Sequence, residues 1–338
     1  MLSVFDGLPA GLLQYSAREL ARVLPGPSLI RLPGERDEVV FVSVLLHGNE
    51  FTGWEAMRSL LLKQAGRPLP RSLCLFIGNV HAAAEGRRCL AGQADYNRIW
   101  KADGDRPEHG LARAVLDELA RMPLFAAIDI HNNSGMNPHY ACINRLQPAF
   151  LQLARLFGRT VVYFTRPDSV MSMAMVRYCP SVTLECGQPG ETRGVLHARE
   201  FVEACLHLSA FPTHPLPASE IDLFHTVATV KLGPACEPGM PGSGADFLLL
   251  PDMDKLNFTE LPAGSLFGWS AGEDLPLRVQ DEAGQDVTEQ YFEVQEGEII
   301  TRTPVMPSML SLDQDIIRQD CLCYLMERLN QELPRSAD

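Results

Sequence analysis

Between residues 39 and 131 the chain alternates short apolar, β-rich runs with stretches of helical periodicity. This is the pattern of βαβ units that build a mainly parallel sheet. Residues 39–46 (VVFVSVLL) are apolar without alternation and read as a strand buried on both faces. Phe51, Trp54, Met57 and Leu61 then recur at helical spacing, so a helix follows directly. Residues 72–78 (SLCLFIG) form the next expected strand, and Leu111, Val115, Leu116 and Leu119 mark another helix. Residues 124–130 (LFAAIDI) and 181–184 (SVTL) complete the readable strands, and a helix over 199–208 closes this half.

Past residue 210 the texture changes. Pro212, Pro215, Pro217, Pro234, Pro238, Pro241, Pro251 and Pro262, with glycines between them, punctuate the short runs VATVKL, DFLLL, PLRVQ, YFEVQ and EIITRT. A small β-rich domain is expected there. Ile316, Leu322, Leu325 and Leu329 follow helical spacing and predict a C-terminal helix over 312–331. The expectation is therefore an α/β domain over 1–210 and a smaller β-rich domain with a terminal helix over 211–338. A length of 338 residues fits two domains at about 150 residues each.

Composition narrows the function. Charged residues make up 21% and hydrophobic ones 46%, as in soluble globular chains. With 29 Lys+Arg against 42 Asp+Glu the net charge is −13, which opposes nucleic acid and anionic membrane surfaces as partners. The nine cysteines are odd in number, lack a C-x-x-C pair and sit in apolar runs such as Leu73-Cys74-Leu75. They read as reduced thiols of a cytoplasmic chain. The start has no basic segment before an apolar one, and no apolar run reaches the ~18 residues of a membrane span. A soluble protein is expected, with homo-oligomerisation left open.

Three polar clusters each follow an apolar strand. His47-Gly48-Asn49-Glu50 follows VVFVSVLL, His131 follows LFAAIDI, and Glu185-Cys186-Gly187 follows SVTL. Parallel strands bring their C-terminal ends to one edge, where ligands bind, so these clusters are expected to converge. His47, Glu50 and His131 would then offer two nitrogens and a carboxylate, the donor set of a catalytic zinc with an open position. Glu185 is left over as an acid/base. Each cluster alone is weak, since a His-x-x-Glu pair is more often an exposed loop; their joint occurrence at equivalent strand ends carries the argument.

HGNEFTG, GNVHAAAEGRRCLAGQADYNRIW, DIHNNSG and VTLECGQPG resemble, in order and approximate spacing, the motifs of the succinylglutamate desuccinylase/aspartoacylase family. That family is a branch of the zinc carboxypeptidase-like (M14) hydrolases. The resemblance spans roughly residues 40–200 and, more loosely, NFTELPAGSLFG. It implies a zinc-carboxypeptidase-like mixed, mainly parallel sheet flanked by helices, and one zinc per subunit held by His47, Glu50 and His131. Glu185 is implied as general base. Asn97 and Arg98, in the D-x-N-R element Asp95-Tyr96-Asn97-Arg98, are implied to bind a substrate carboxylate. An arginine upstream polarises the scissile carbonyl in relatives, and Arg88 is taken for it, with Arg87 adjacent. Met175 stands where aspartoacylases carry a further arginine, which speaks against N-acetylaspartate as substrate; Arg177 is the nearest substitute.

The implied activity is zinc-dependent hydrolysis of the amide of an N-acyl amino acid or a similar small anion. Arg87, Arg88, Arg98 and Lys101 supply local positive charge that suits such a substrate. The alternatives are a metallocarboxypeptidase, which would use the same Asn/Arg pair on a peptide C-terminus, and a non-catalytic zinc- or metabolite-binding relative. Asp129 shares a strand face with His131 and is a candidate for orienting it. His139 is a weaker candidate for substrate contact, and Tyr96 reads as packing. His81, His109, His197, His207, His214 and His225 have no ligand spacing and read as solvent or cap residues. Cys186 raises a Cys/His hydrolase, but a residue flanking Glu185 on a strand points to the other face. Nucleotide-binding and serine-nucleophile motifs are absent.

Overall fold

The computed structural model describes residues 1–101 and 104–329. The chain separates into two units, Met1–Asn132 with His139–Asp222, and Asn133–Pro138 with the chain from Leu223. The first unit contains β1 (Ser3–Asp6), β2 (Ser28–Leu32), β3 (Val39–Val44), α1 (Thr52–Lys63), β4 (Ser72–Ile77), α2 (Val80–Glu85) and α3 (Pro107–Leu119). It continues with β5 (Leu124–His131), β6 (Tyr140–Ile143), α4 (Pro148–Phe157), β7 (Thr160–Tyr163), α5 (Met171–Met175), β8 (Ser181–Glu185) and α6 (Thr192–His207).

Its strands lie in the order β1-β2-β4-β3-β5-β8-β6-β7. The central run β4-β3-β5-β8 is parallel throughout, and so are the outer pairs β1-β2 and β6-β7. Only β2-β4 and β6-β8 run antiparallel. The result is a mixed, mainly parallel sheet flanked by helices. Every residue of β3 is buried, as a strand covered on both faces requires. Alternation sends Phe41 and Ala127 to one face, into a cluster with Phe76, Val115, Met171 and Met175. Val44 and Ile130 face the other way, where α1 approaches so closely that a Cβ on Gly53 would lie 2.9 Å from Val44 and 3.1 Å from Ile130.

The second unit holds β9 (Asp222–Leu232), β10 (Pro238–Gly239), β11 (Phe247–Leu248), β12 (Leu266–Ser270), β13 (Leu277–Asp281) and α7 (Thr288–Tyr291). β14 (Phe292–Gln295), β15 (Glu298–Thr301), β16 (Met306–Ser308), α8 (Gln314–Gln319) and β17 (Cys323–Arg328) complete it. β10-β11-β12-β15-β14 form a five-stranded sheet, while β17 pairs antiparallel with β9 and β16. Phe247, Phe267, Leu277, Phe292, Ile299 and Leu325 belong to its core.

The helix expected over 312–331 is corrected by the structure. A short α8 ends at Gln319, and β17 follows; residues 330 and 331 lie outside the described part of the chain. A register shift between Leu325 and Met326 lets both be buried. That bulge breaks the strand's alternation, so no period of two marks the strand in the sequence. No helix among the described residues is long and apolar enough to cross a membrane.

Trp54 ties α1 to the N-terminal segment. It is fully buried, and its Nε1 donates to the Tyr15 carbonyl at 3.1 Å. Trp54→Ala is expected to cost about 3–5 kcal/mol, read as a lower urea midpoint with an unchanged m-value.

Candidate metal centre

β3, β5 and β8 are neighbours, so their C-terminal ends bring His47, His131 and Glu185 to one edge of the sheet. His131 and Glu185 are register partners across parallel strands and share a face. Leu45, at φ +56°, turns the chain sharply after β3, and the next turn carries His47 and Glu50. Gly48 makes that turn possible: a Cβ there would lie 2.4 Å from the backbone of Ala82 and Ala83.

His47 Nδ1 lies 2.7 Å from Glu50 Oε1, and His131 Nδ1 lies 2.8 Å from Glu50 Oε2. One donor atom from each of the three residues falls within 4.8 Å of the others, and all three side chains are buried. The outer imidazole nitrogens are held by carboxylates: His47 Nε2 donates to Asp95 Oδ1 at 3.0 Å and His131 Nε2 to Asp129 Oδ2 at 2.8 Å. These bonds leave each neutral ring with its Nδ1 lone pair facing a carboxylate oxygen. Lone pairs opposed at such distances call for a cation between them. The donor set thus fits a divalent metal, with the two aspartates fixing tautomer and ring orientation.

Asn132 completes the cluster from behind. Its backbone N–H donates to Glu50 Oε2 at 3.1 Å, and its side-chain amide donates to Thr52 Oγ1 at 2.9 Å and the Gly187 carbonyl at 2.8 Å. Burial alone would raise the Glu50 carboxyl, but when His47 and His131 carry protons toward it, their charges and hydrogen bonds hold it well below the usual carboxylate range. Asp95 is likewise buried, and His47 and Arg88 keep it well below that range.

The other expected residues divide. Arg88 reaches the cluster: its Nη2 donates to Asp95 Oδ2 at 2.8 Å, and its Nη1 lies 3.9 Å from Glu50 Oε1. Arg87 is exposed, 3.5 Å from Glu85. Asn97 is buried, its Nδ2 3.3 Å from His131 Nε2, and its Oδ1 accepts from the Met171 N–H. Arg98 follows it, donating to the Asn97 carbonyl. Lys101 is half exposed and paired with Asp168 at 3.0 Å. Met175 is fully buried in the core, and Arg177 lies over the Tyr178 ring at the surface. Neither Met175 nor Arg177 joins the cluster. Tyr96 is buried packing.

Cys186 is fully buried, and burial, with Glu185 nearby, pushes its thiol well above the usual range. His139 lies on the α4/α6 side, opposite to Glu185, because the register partner of Glu185 is Tyr140. Sequence reasoning missed two roles. Asp95 was seen only as part of a carboxylate-binding element, yet it holds His47. His197, read as a solvent or cap residue, pairs with His139 at 2.9 Å.

The sequence model of the succinylglutamate desuccinylase/aspartoacylase catalytic domain matches residues 38–209, and the chain belongs to that family. Among solved structures, it resembles a succinylglutamate desuccinylase/aspartoacylase from Rhodobacter sphaeroides at 17% identity and TM-score 0.60, over 90% of this chain and 89% of that one. It resembles the succinylglutamate desuccinylase of Chromobacterium violaceum at 17% identity and TM-score 0.57, over 88% and 86%. Murine aminoacylase 3 matches at 15% identity and TM-score 0.55, over 87% and 95%. At these identities the likeness concerns the fold. No curated protein matches the chain in sequence.

In the metal-free protein the cation between the lone pairs is a proton on His131. Burial would lower this imidazole, but Asp129 and Glu50 raise it well above the ordinary histidine value. A raised folded-state value gives stability that is present below about pH 6.5 and lost as pH rises through it. Metal-free protein is therefore expected to lose Tm on going from pH 6 into the alkaline range. Metal affinity should rise over the same interval, because the ligand must shed that proton. Thermal melts and metal titrations at matched pH check both signs.

Proposed function

We propose that the protein is a zinc-dependent amidohydrolase that cleaves the amide of an N-acyl amino acid or a similar small anionic amide. The observation that carries this reading is the convergence of His47, Glu50 and His131 donors within 4.8 Å, with Glu185 in register beside His131. A zinc held by these three residues would supply Lewis-acid polarisation of a carbonyl and make a water acidic enough to lose its proton near neutral pH.

The chain's own residues do the rest. Glu185 takes the water's proton and returns it to the leaving amine, work worth about 100- to 10,000-fold. Arg88, steadied by Asp95, directs positive charge toward the oxygen on which negative charge develops. Asn97 and Arg98 hold the substrate carboxylate, the guanidinium by its planar fork. The catalytic function is assigned to residues 1–210. The burial of Met175 and the surface position of Arg177 support substrates other than N-acetylaspartate.

Glu185→Gln is expected to lower turnover of N-acyl amino acids by at least about 100-fold while bound metal, read by elemental analysis, stays the same. Turnover that survives in this variant would refute the mechanism. Chelation should abolish activity and added zinc restore it; full activity without metal would refute the zinc assignment. Hydrolysis of short peptides in preference to N-acyl amino acids would shift the assignment to a carboxypeptidase.

A further inference from the structure

On the face of the sheet opposite Glu185, three rings lie nearly parallel. His139 stacks with His197 at 5.2 Å and 20°, and His197 with Phe157 at 4.0 Å and 9°. His197 Nε2 is 2.6 Å from the Phe157 carbonyl oxygen. A carbonyl only accepts, so Nε2 carries a proton and donates it. In its neutral form His197 then keeps a lone pair on Nδ1, and His139 Nδ1, 2.9 Å away, must be the donor. Both tautomers are set by this chain of bonds, and His139 is left with a lone pair on Nε2.

That Nε2 abuts the turn that follows Glu185. A Cβ on Gly187 would lie 2.9 Å from His139 Nε2 and 2.8 Å from Glu191 Oε2, at a backbone φ of +74°. Gly187 is therefore required twice, for its conformation and for the close approach of the two side chains. Its carbonyl accepts from Asn132, whose N–H donates to Glu50. The turn thus connects the histidine pair to both Glu185 and the metal-ligand cluster.

We propose that His139 is a positioning residue: the proton it shares with His197 braces the Gly187 turn and so sets where Glu185 stands relative to His47, Glu50 and His131. The inference rests on the reading of Glu185 as general base. His139 faces His197 and Arg193 of α6, Glu191 of the turn, and the Phe157 ring of α4. Burial, His197 and Arg193 hold its imidazole below the ordinary value, against Glu191, so the ring is neutral at neutral pH. A second proton on His139 goes to Nε2, the nitrogen that stands beside Glu191 at the Gly187 turn. His139 Nε2, now a donor, is drawn to the Glu191 carboxylate and away from its place against the turn. The brace is intact above the His139 transition and lost as pH falls through it.

The test uses the zinc-loaded protein, N-acyl amino acid hydrolysis from pH 5 to 8, and long-range ¹H–¹⁵N spectra of the histidines. The spectra should show His139 protonated at Nδ1 and His197 at Nε2 at neutral pH. His139→Phe keeps the ring stack but not the proton, and kcat should fall about 10- to 100-fold with KM within about twofold. His139→Asn places an amide donor where Nδ1 was and can reverse it. This variant should retain most of kcat at pH 7.5 and lose the acidic step seen in the wild type. Two Nε2 tautomers, or a His139→Phe enzyme with wild-type kcat and pH profile, would overturn the proposal. Wild-type protein that hydrolyses no N-acyl amino acid while showing the stated tautomers would instead overturn the reading of Glu185, and the positioning role with it.

Discussion

A carboxylate sealed away from water is costly unless charge and hydrogen bonds surround it. Glu50 is sealed in this way, and both of its oxygens are engaged, one by His47 and the other by His131 and the Asn132 backbone. Each imidazole in turn rests on an aspartate, and Asp95 rests on Arg88. The outcome is a ladder of alternating character, Arg88, Asp95, His47, Glu50, His131 and Asp129, drawn from separate stretches of chain. The local features around it serve to bring these groups into line. Leu45 adopts a left-handed backbone, Gly48 admits the α2 backbone, and Asn132 uses its amide on two elements at once.

The parts of this arrangement that were legible in the sequence are those with a local signature. β3, β4, β5 and β8 announce themselves as unbroken apolar runs because both of their faces are covered, and His47, Glu50, His131 and Glu185 stand where those runs stop. β6 and β7, four residues each, are too short to show a period. β17 was misread because its bulge buries two consecutive residues. Asp95 holds a histidine 48 positions away, and His139 holds one 58 positions away. No spacing rule relates such pairs, since only the tertiary fold makes them neighbours. The excursion of residues 133–138 into the second unit has no compositional mark either.

Charge tells a similar story at two scales. The chain carries −13 overall, and the cluster itself is rich in acids: Glu50, Asp95, Asp129 and Glu185 stand formally against Arg88 and Arg98. With neutral imidazoles two negative charges are left over, the number that a divalent cation balances. The arginines that looked like a free positive patch in the sequence are partly engaged inside, Arg88 by Asp95 and Arg98 by the Asn97 carbonyl. The local inversion of charge is therefore weaker than residue counting suggests, and more sharply directed.

The position of the donors along the chain also bears on how the protein matures. His47 and Glu50 are three residues apart, but His131 lies 81 residues beyond Glu50. A chain that has folded only its first strands owns two donors and can grip a metal weakly. The third arrives when β5 docks beside β3 and a long loop is closed, a step whose entropy cost grows with loop length. A cation held by all three donors would then act as a clasp across that loop and stabilise the closed form by its binding energy. Firm retention of metal would in that sense be a late event in folding, a mark that the central strands have found their order.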